Sequence, residues 1–193
     1  MFKILISTFI IFTSLSFAIT QKDIETEMTN KIDKVLLIIK DSKLSKQEKG
    51  EEIISIMSPI FDYDLMAKLS LGKKWKETST NQKKEFITYF TKKLKNSYVE
   101  KLDLYTDELV EIVGLEQTKK TRIELKTKLI GKDAKHDIIY KFYKKNNEDN
   151  WLIYDVDLIG VSIIQTYRKQ FSGFLNDKTI AELIEYLKTP TEK

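Results

Sequence analysis

Between residues 21 and 40 the apolar positions Ile24, Met28, Ile32, Val35, Leu36 and Ile39 recur at three- and four-residue spacing, the stripe of an amphipathic helix. Ser45 and Glu48 have the spacing of a capping box, in which each side chain satisfies the other residue's backbone N–H. They predict the start of a second helix carrying Ile53, Ile56, Met57 and Ile60, with Pro59 at or near its end. Asp62 is placed to cap a short third helix with Leu65, Met66 and Leu69, stopped by Gly72. Ser79 and Gln82 form a second box and open a long helix in which Phe86, Phe90, Leu94 and Tyr98 return every fourth residue, with Leu102 continuing the row.

Near residue 105 the period changes to two. Leu109 to Val113 reads as a short strand. From Thr121 to Leu129 the alternation is clean: Ile123, Leu125, Thr127 and Leu129 face one way and Arg122, Glu124, Lys126 and Lys128 the other. Asp137 to Lys144 is a third strand with Ile138, Tyr140 and Phe142 on one face, and Asn146 to Asn150 is a turn into a fourth, Trp151 to Leu158. Ser162 and Gln165 suggest a further box, followed by the stripe Val161, Ile164, Tyr167, Phe171 and Phe174; a last helix holds Ile180, Leu183, Ile184 and Leu187, and Pro190 closes it. The expected class is α+β: N-terminal helices, a four-stranded antiparallel sheet with one dry and one wet face, then C-terminal helices.

The first eighteen residues follow a different rule. Lys3 precedes an uncharged apolar run from Ile4 to Phe12, and Ser16-Phe17-Ala18 supplies small residues at the −3 and −1 positions of a cleavage site. Residues 1–18 are therefore expected to be a secretory signal and residues 19–193 a single exported domain. The apolar run is short for a membrane span.

Composition narrows the chemistry. With no Cys and one His, thiol nucleophiles, disulfides and multi-histidine metal sites cannot be built. Of 33 basic residues only Arg122 and Arg168 are arginines, and the lysines alternate with acids, which argues for a solvated surface and against a nucleic-acid partner. The sequence contains neither a phosphate-binding Gly-x-x-x-x-Gly-Lys loop nor a Gly-x-Ser-x-Gly elbow. Asp155 and Asp157 with His136 could form an acid–base cluster, and Asp62-x-Asp64 a metal dyad, but charged sheet positions and helix capping account for them more simply. No enzyme, metal or cofactor is expected. A bidentate carboxylate contact would explain a rare arginine, so Arg168 is expected to pair with Asp155, Asp62 or Asp64.

Three segments resemble one known family. Phe61-Asp62-Tyr63-Asp64-Leu65-Met66-Ala67-Lys68-Leu69-Ser70-Leu71-Gly72-Lys73-Lys74-Trp75 is similar to its "FDF..MA..LG..W" segment. Gln82, Phe86, Phe90, Leu94 and Tyr98 match its next helix. Trp151 to Ser162, followed by Tyr167-Arg168 and Gln170-Phe171, resembles "W.VYDV..EGVS....YR.QF", with Ile159 where the family usually has an acid. The chain is thereby identified as a member of the MlaC, or toluene-tolerance (ABC-transporter auxiliary), family.

The resemblance implies a periplasmic carrier with phospholipid as cargo in a deep apolar pocket. It would shuttle lipid between an outer-membrane lipoprotein complex and an inner-membrane ABC transporter with its ring-forming substrate-binding protein, and so maintain outer-membrane lipid asymmetry. A different periplasmic lipoprotein carrier or chaperone is the alternative reading. Exposing about thirty lipid methylenes would cost roughly 25 kcal/mol, so a carrier needs apolar wall and no catalytic group. Strand alternation and helix stripes put that wall on Ile123, Leu125, Ile138, Tyr140, Leu152, Tyr154 and Val156 with Phe86, Phe90, Ile164, Tyr167 and Phe171. If Leu125 faces an open pocket, Leu125→Trp should block lipid at little cost in stability.

Overall fold

The computed structural model describes residues 19–100, 102, 108–132 and 134–189. Residues 1–18, expected to be a secretory signal, and Pro190 lie outside these. The α+β class holds, with five strands in place of four. The helices are α1 (Ile24–Lys40), α2 (Lys46–Met57), α3 (Tyr63–Leu71), α4 (Thr80–Val99), α5 (Ile163–Phe174) and α6 (Ile180–Lys188). The strands are β1 (Leu109–Lys119), β2 (Arg122–Ile130), β3 (Lys135–Lys144), β4 (Trp151–Leu158) and β5 (Val161–Ser162), an antiparallel meander in sequence order.

The capping residues act as their chemistry dictates. Ser45 with Glu48 and Ser79 with Gln82 complete reciprocal boxes at the starts of α2 and α4. Thr179 with Glu182 makes a third at α6, which the sequence reading passed over. Ser162 caps α5 by accepting from the Gln165 N–H at 3.0 Å, yet Gln165 returns nothing. Its place is taken by buried Asp155, which accepts from the Ser162 hydroxyl at 2.7 Å and from the Ile164 N–H at 3.2 Å.

Three departures from simple alternation shape the sheet. β1 continues to Lys119 because a bulge at Gly114 shifts the register without ending the pairing. β4 carries a second bulge: Phe142 faces Ile153 while Lys141 faces Asp155, so Tyr154 is the extra residue. β5 exists because the chain reverses at Ile159-Gly160, pairing Leu158 with Val161. Both turn residues have positive φ, 55° and 76°, as a two-residue hairpin loop requires. For a β-branched isoleucine that conformation costs about 1–2 kcal/mol.

Two buried clusters hold the molecule together. The sheet core joins Ile123, Leu125, Phe142, Trp151, Ile153 and Val156 to Ile24, Met28 and Ile32 of α1. The helical core stacks α3, α4, α5 and α6 around Phe86, Phe90 and Phe171, whose centroids lie 5.6 to 6.1 Å apart. Phe61 and Ile163 pack against both. Asp62 fastens the junction: its carboxylate caps α3 through the Leu65 N–H at 2.9 Å, accepts from the Tyr143 hydroxyl and pairs with Lys145 at 3.2 Å. Among the described residues Arg168 makes no ion pair. Two of its three expected partners are otherwise engaged, Asp155 with Lys141 and Asp62 with Lys145, and no ion pair joins it to the third, Asp64. Arg168 Nε instead lies 2.9 Å from where a Cβ on Gly72 would sit, and Gly72 has φ 61°.

Candidate lipid cavity

The strand register sorts the inner face of the sheet into cross-strand rows. Gln117, Ile123, Phe142 and Ile153 form the first, and Leu115, Leu125, Tyr140 and Val156 the second. Ile112, Thr127, Ile138, Leu158 and Val161 form the third, and Val110, Leu129 and His136 the fourth. At the first row Ile123, Phe142 and Ile153 are buried, as are neighbouring Trp151 and Met28. At the third and fourth rows the apolar residues are only half-buried: Val110, Ile112, Ile138 and Leu158, with Leu36 of α1, Met57 of α2 and Ile163 of α5 packed near them. One end of the sheet is thus fully buried, and the other keeps apolar side chains that the described residues only partly cover.

Tyr98, near the end of α4, shows what kind of surface this is. It retains 39% of its accessible area. Its phenol pKa is nevertheless pushed far up, chiefly by withdrawal from water and then by the nearby Tyr167, Asp155, Tyr140 and Tyr63. The ring is thus only partly open to water. The same withdrawal from water raises Tyr63 and Tyr167. Partly buried groups here are aliphatic on the sheet, α1 and α2, with Tyr63 of α3 and Tyr140 of β3 beside them.

α2 is held across this concavity by specific ties. A Cβ on Gly50 would fall 2.6 Å from Val99 Cγ1, so the two helices touch where only glycine fits. Lys46 Nζ donates to the Glu100 carbonyl at 2.7 Å, Lys49 Nζ to the Ile39 carbonyl at 2.6 Å and Lys31 Nζ to the Ile56 carbonyl at 2.9 Å. These bonds place lysines at the ends of α1, α2 and α4.

The residues expected to form the wall divide into four groups. Ile138 and Tyr140 face the half-filled end. Ile123, Leu125 and Val156 belong to the sheet core, where Leu125 has no accessible surface. Phe86, Phe90, Ile164, Tyr167 and Phe171 belong to the helical core; the ring contacts among Phe86, Phe90, Tyr167 and Phe171 fill that space with side chains. Leu152 and Tyr154 are on the opposite face of the sheet. Leu152 pairs with outward-facing Tyr143, and Tyr154 packs edge-on to the Tyr143 ring at 6.0 Å under the Arg122 guanidinium. The bulge is the cause, because it lets Ile153 and Val156, three residues apart, share the inner face. The sequence reading missed α1, α2 and Tyr98 as wall. Leu36 and Met57 sat in its helix stripes, but their exposure depends on what packs over them.

The acid–base cluster does not assemble. His136 pairs with Leu129 on the inner face, whereas Asp155 and Asp157 are on the outer face around Lys141, at 3.3 and 3.5 Å. Among the described residues no group of three or more His, Cys, Asp or Glu is placed to hold a metal. A separate cleft of about 500 Å³ opens at the filled end between Gln21, Lys22, Glu25, Leu115, Gln117, Ile123 and Asp149. Five of those seven residues carry polar side chains.

The family model described as MlaC protein matches residues 29–189. The chain belongs to the MlaC family. Its alignment with the intermembrane phospholipid transport system binding protein MlaC of Haemophilus influenzae is 26% identical over 117 residues. That alignment covers 59% of this chain and 55% of the relative, so the chain spans about half the length of the curated protein it matches. The solved structure of a phospholipid-binding protein from Ralstonia solanacearum, in complex with a phospholipid, superposes with a TM-score of 0.73 at 19% identity, covering 84% of this chain and 93% of the other. At that identity the likeness establishes the MlaC fold. Among the described residues no helix is long and apolar enough to cross a membrane.

Proposed function

We propose that this MlaC-family protein carries a phospholipid with its acyl chains in the half-filled concavity between the sheet and helices α1, α2 and α4. The observation that carries the reading is the third row, where the described residues leave Ile112, Ile138 and Leu158 only partly buried. Burying acyl methylenes there contributes about 0.8 kcal/mol each. The headgroup stays in water at the mouth, where Lys31, Lys46 and Lys49 hold the surrounding helix ends. Removal of residues 1–18 would release residues 19–193 into the periplasm as one domain. The carrier would then pass lipid between an outer-membrane lipoprotein complex and an inner-membrane ABC transporter with its ring-forming binding protein. No step needs a catalytic group or a cofactor.

Native mass spectrometry of the protein purified from a periplasm tests this directly. The expected spectrum shows the cleaved chain with added mass that solvent extraction releases as phospholipid. A spectrum with no releasable lipid would overturn the cargo assignment, and recovery of a lipoprotein in its place would support the alternative carrier.

A further inference from the structure

The turn joining β4 to β5 departs from two rules at once. Ile159 adopts φ 55°, a conformation in which asparagine, aspartate or glycine is favoured and a β-branched side chain is strained. It also leaves 64% of its surface in solvent, and Val161, two residues on, leaves 57%. Neither side chain stabilises the fold by burial, and Ile159 opposes it. Strain at an exposed apolar tip is a reason to look for a contact outside the chain.

Position identifies that contact. Val161 pairs with Leu158, which pairs with Ile138, so the tip continues the third row and forms the lip of the half-filled concavity. The Ile159 N–H donates to the Asp137 carbonyl at 3.0 Å, which fixes the turn against the start of β3. Lys128 and Lys135 flank this end, but Asp137 already neutralises Lys128 at 2.8 Å, so charge contributes little. An exposed aliphatic tip beside the partly buried aliphatic row fits hydrocarbon. Resting on the cargo reading above, we infer that the Ile159–Val161 tip inserts into a phospholipid bilayer surface and sets the cavity mouth against it.

The chain has no cysteine, so single-cysteine variants take one fluorophore at a chosen site. The probe is vesicles of three parts phosphatidylethanolamine to one part phosphatidylglycerol. An environment-sensitive dye on Ile159→Cys or Val161→Cys is expected to shift to the blue with vesicles. The same dye on Lys119→Cys, at the far end of β1, is expected to stay unchanged. Ile159→Asn should weaken vesicle association roughly tenfold, the effect of withdrawing one large aliphatic side chain from hydrocarbon. It should leave the melting temperature equal or higher, since asparagine suits the turn, and Ile159→Leu should restore association.

Dye at residue 159 that reports water in the presence of vesicles would overturn the inference. So would an Ile159→Asn protein that associates like the wild type, which would leave the tip to a protein partner. A melting temperature lowered by Ile159→Asn would assign the side chain to the fold and overturn it as well. Phospholipid extracted from the purified Ile159→Asn protein separates this inference from the cargo reading. Cargo present with vesicle association unchanged rejects the tip alone, whereas cargo absent from the wild type rejects the carrier.

Discussion

The two ends of the sheet's inner face are built from the same kinds of residue and are treated differently by the fold. At the first row Ile123, Phe142 and Ile153 are sealed by Trp151 and the start of α1. At the third row Ile138 and Leu158 are only partly buried, as are Leu36, Met57 and Ile163, which pack against the same core. The hydrophobic effect drives both sets inward, but only the first set finds enough side-chain volume to close on. The filled end therefore supplies stability, and the half-filled end leaves part of its apolar surface accessible.

The largest test of that contrast is Phe142→Ala. Emptying a fully buried ring site at the filled end should lower stability by about 3–5 kcal/mol, measured by denaturant unfolding, while the folded fraction still carries lipid. A loss below about 1 kcal/mol would mean that this end is not the packed one. Leu125→Trp comes next. Leu125 has no accessible surface, so overpacking is expected to cost about 1–3 kcal/mol. This reverses the sequence-based expectation of an open position. Full stability with lipid excluded would return Leu125 to the pocket wall.

Asp62 offers a pH test of the junction between the two cores. Burial pushes its carboxyl pKa up, but hydrogen bonds from Tyr143, the Leu65 N–H and Lys145 outweigh this and hold it below the ordinary value of 3.8. Because the folded-state pKa is depressed, the stabilisation is present above the unfolded value and is lost as pH falls through the folded one. Thermal melts should therefore show the wild type losing stability below about pH 4, with a shallower slope for Asp62→Asn. At neutral pH the variant should be about 1–2 kcal/mol less stable. Parallel pH profiles would remove Asp62 from this role.

The smallest change in stability is expected at Ile138→Trp, one row from Leu125. The extra ring should enter the concavity at a cost within about 0.5 kcal/mol and displace bound phospholipid. Destabilisation like that of Leu125→Trp, with lipid retained, would show that the third row is packed and that the guest lies elsewhere.

The local grammar of the chain is legible in its residues. The boxes at Ser45 and Ser79, the Asp62 cap and the clean alternation of β2 each depend on neighbours within a few positions and appear as read; the helix stripes do too, except that Val161, read into the α5 stripe, lies exposed in β5. The three quoted segments likewise lead to the family that the comparison establishes. What the tertiary structure decided is non-local. The bulge at Tyr154 turned Leu152 and Tyr154 outward, because β4 must stay in register with β3 and also pair with the chain at Phe61. Arg168 lost its expected carboxylates to lysines that approach from β3 and the turn after it. The distinction between a sealed and an open apolar row is equally invisible to periodicity. A stripe shows which way a side chain points, and only the volume arriving from distant segments settles whether anything meets it there.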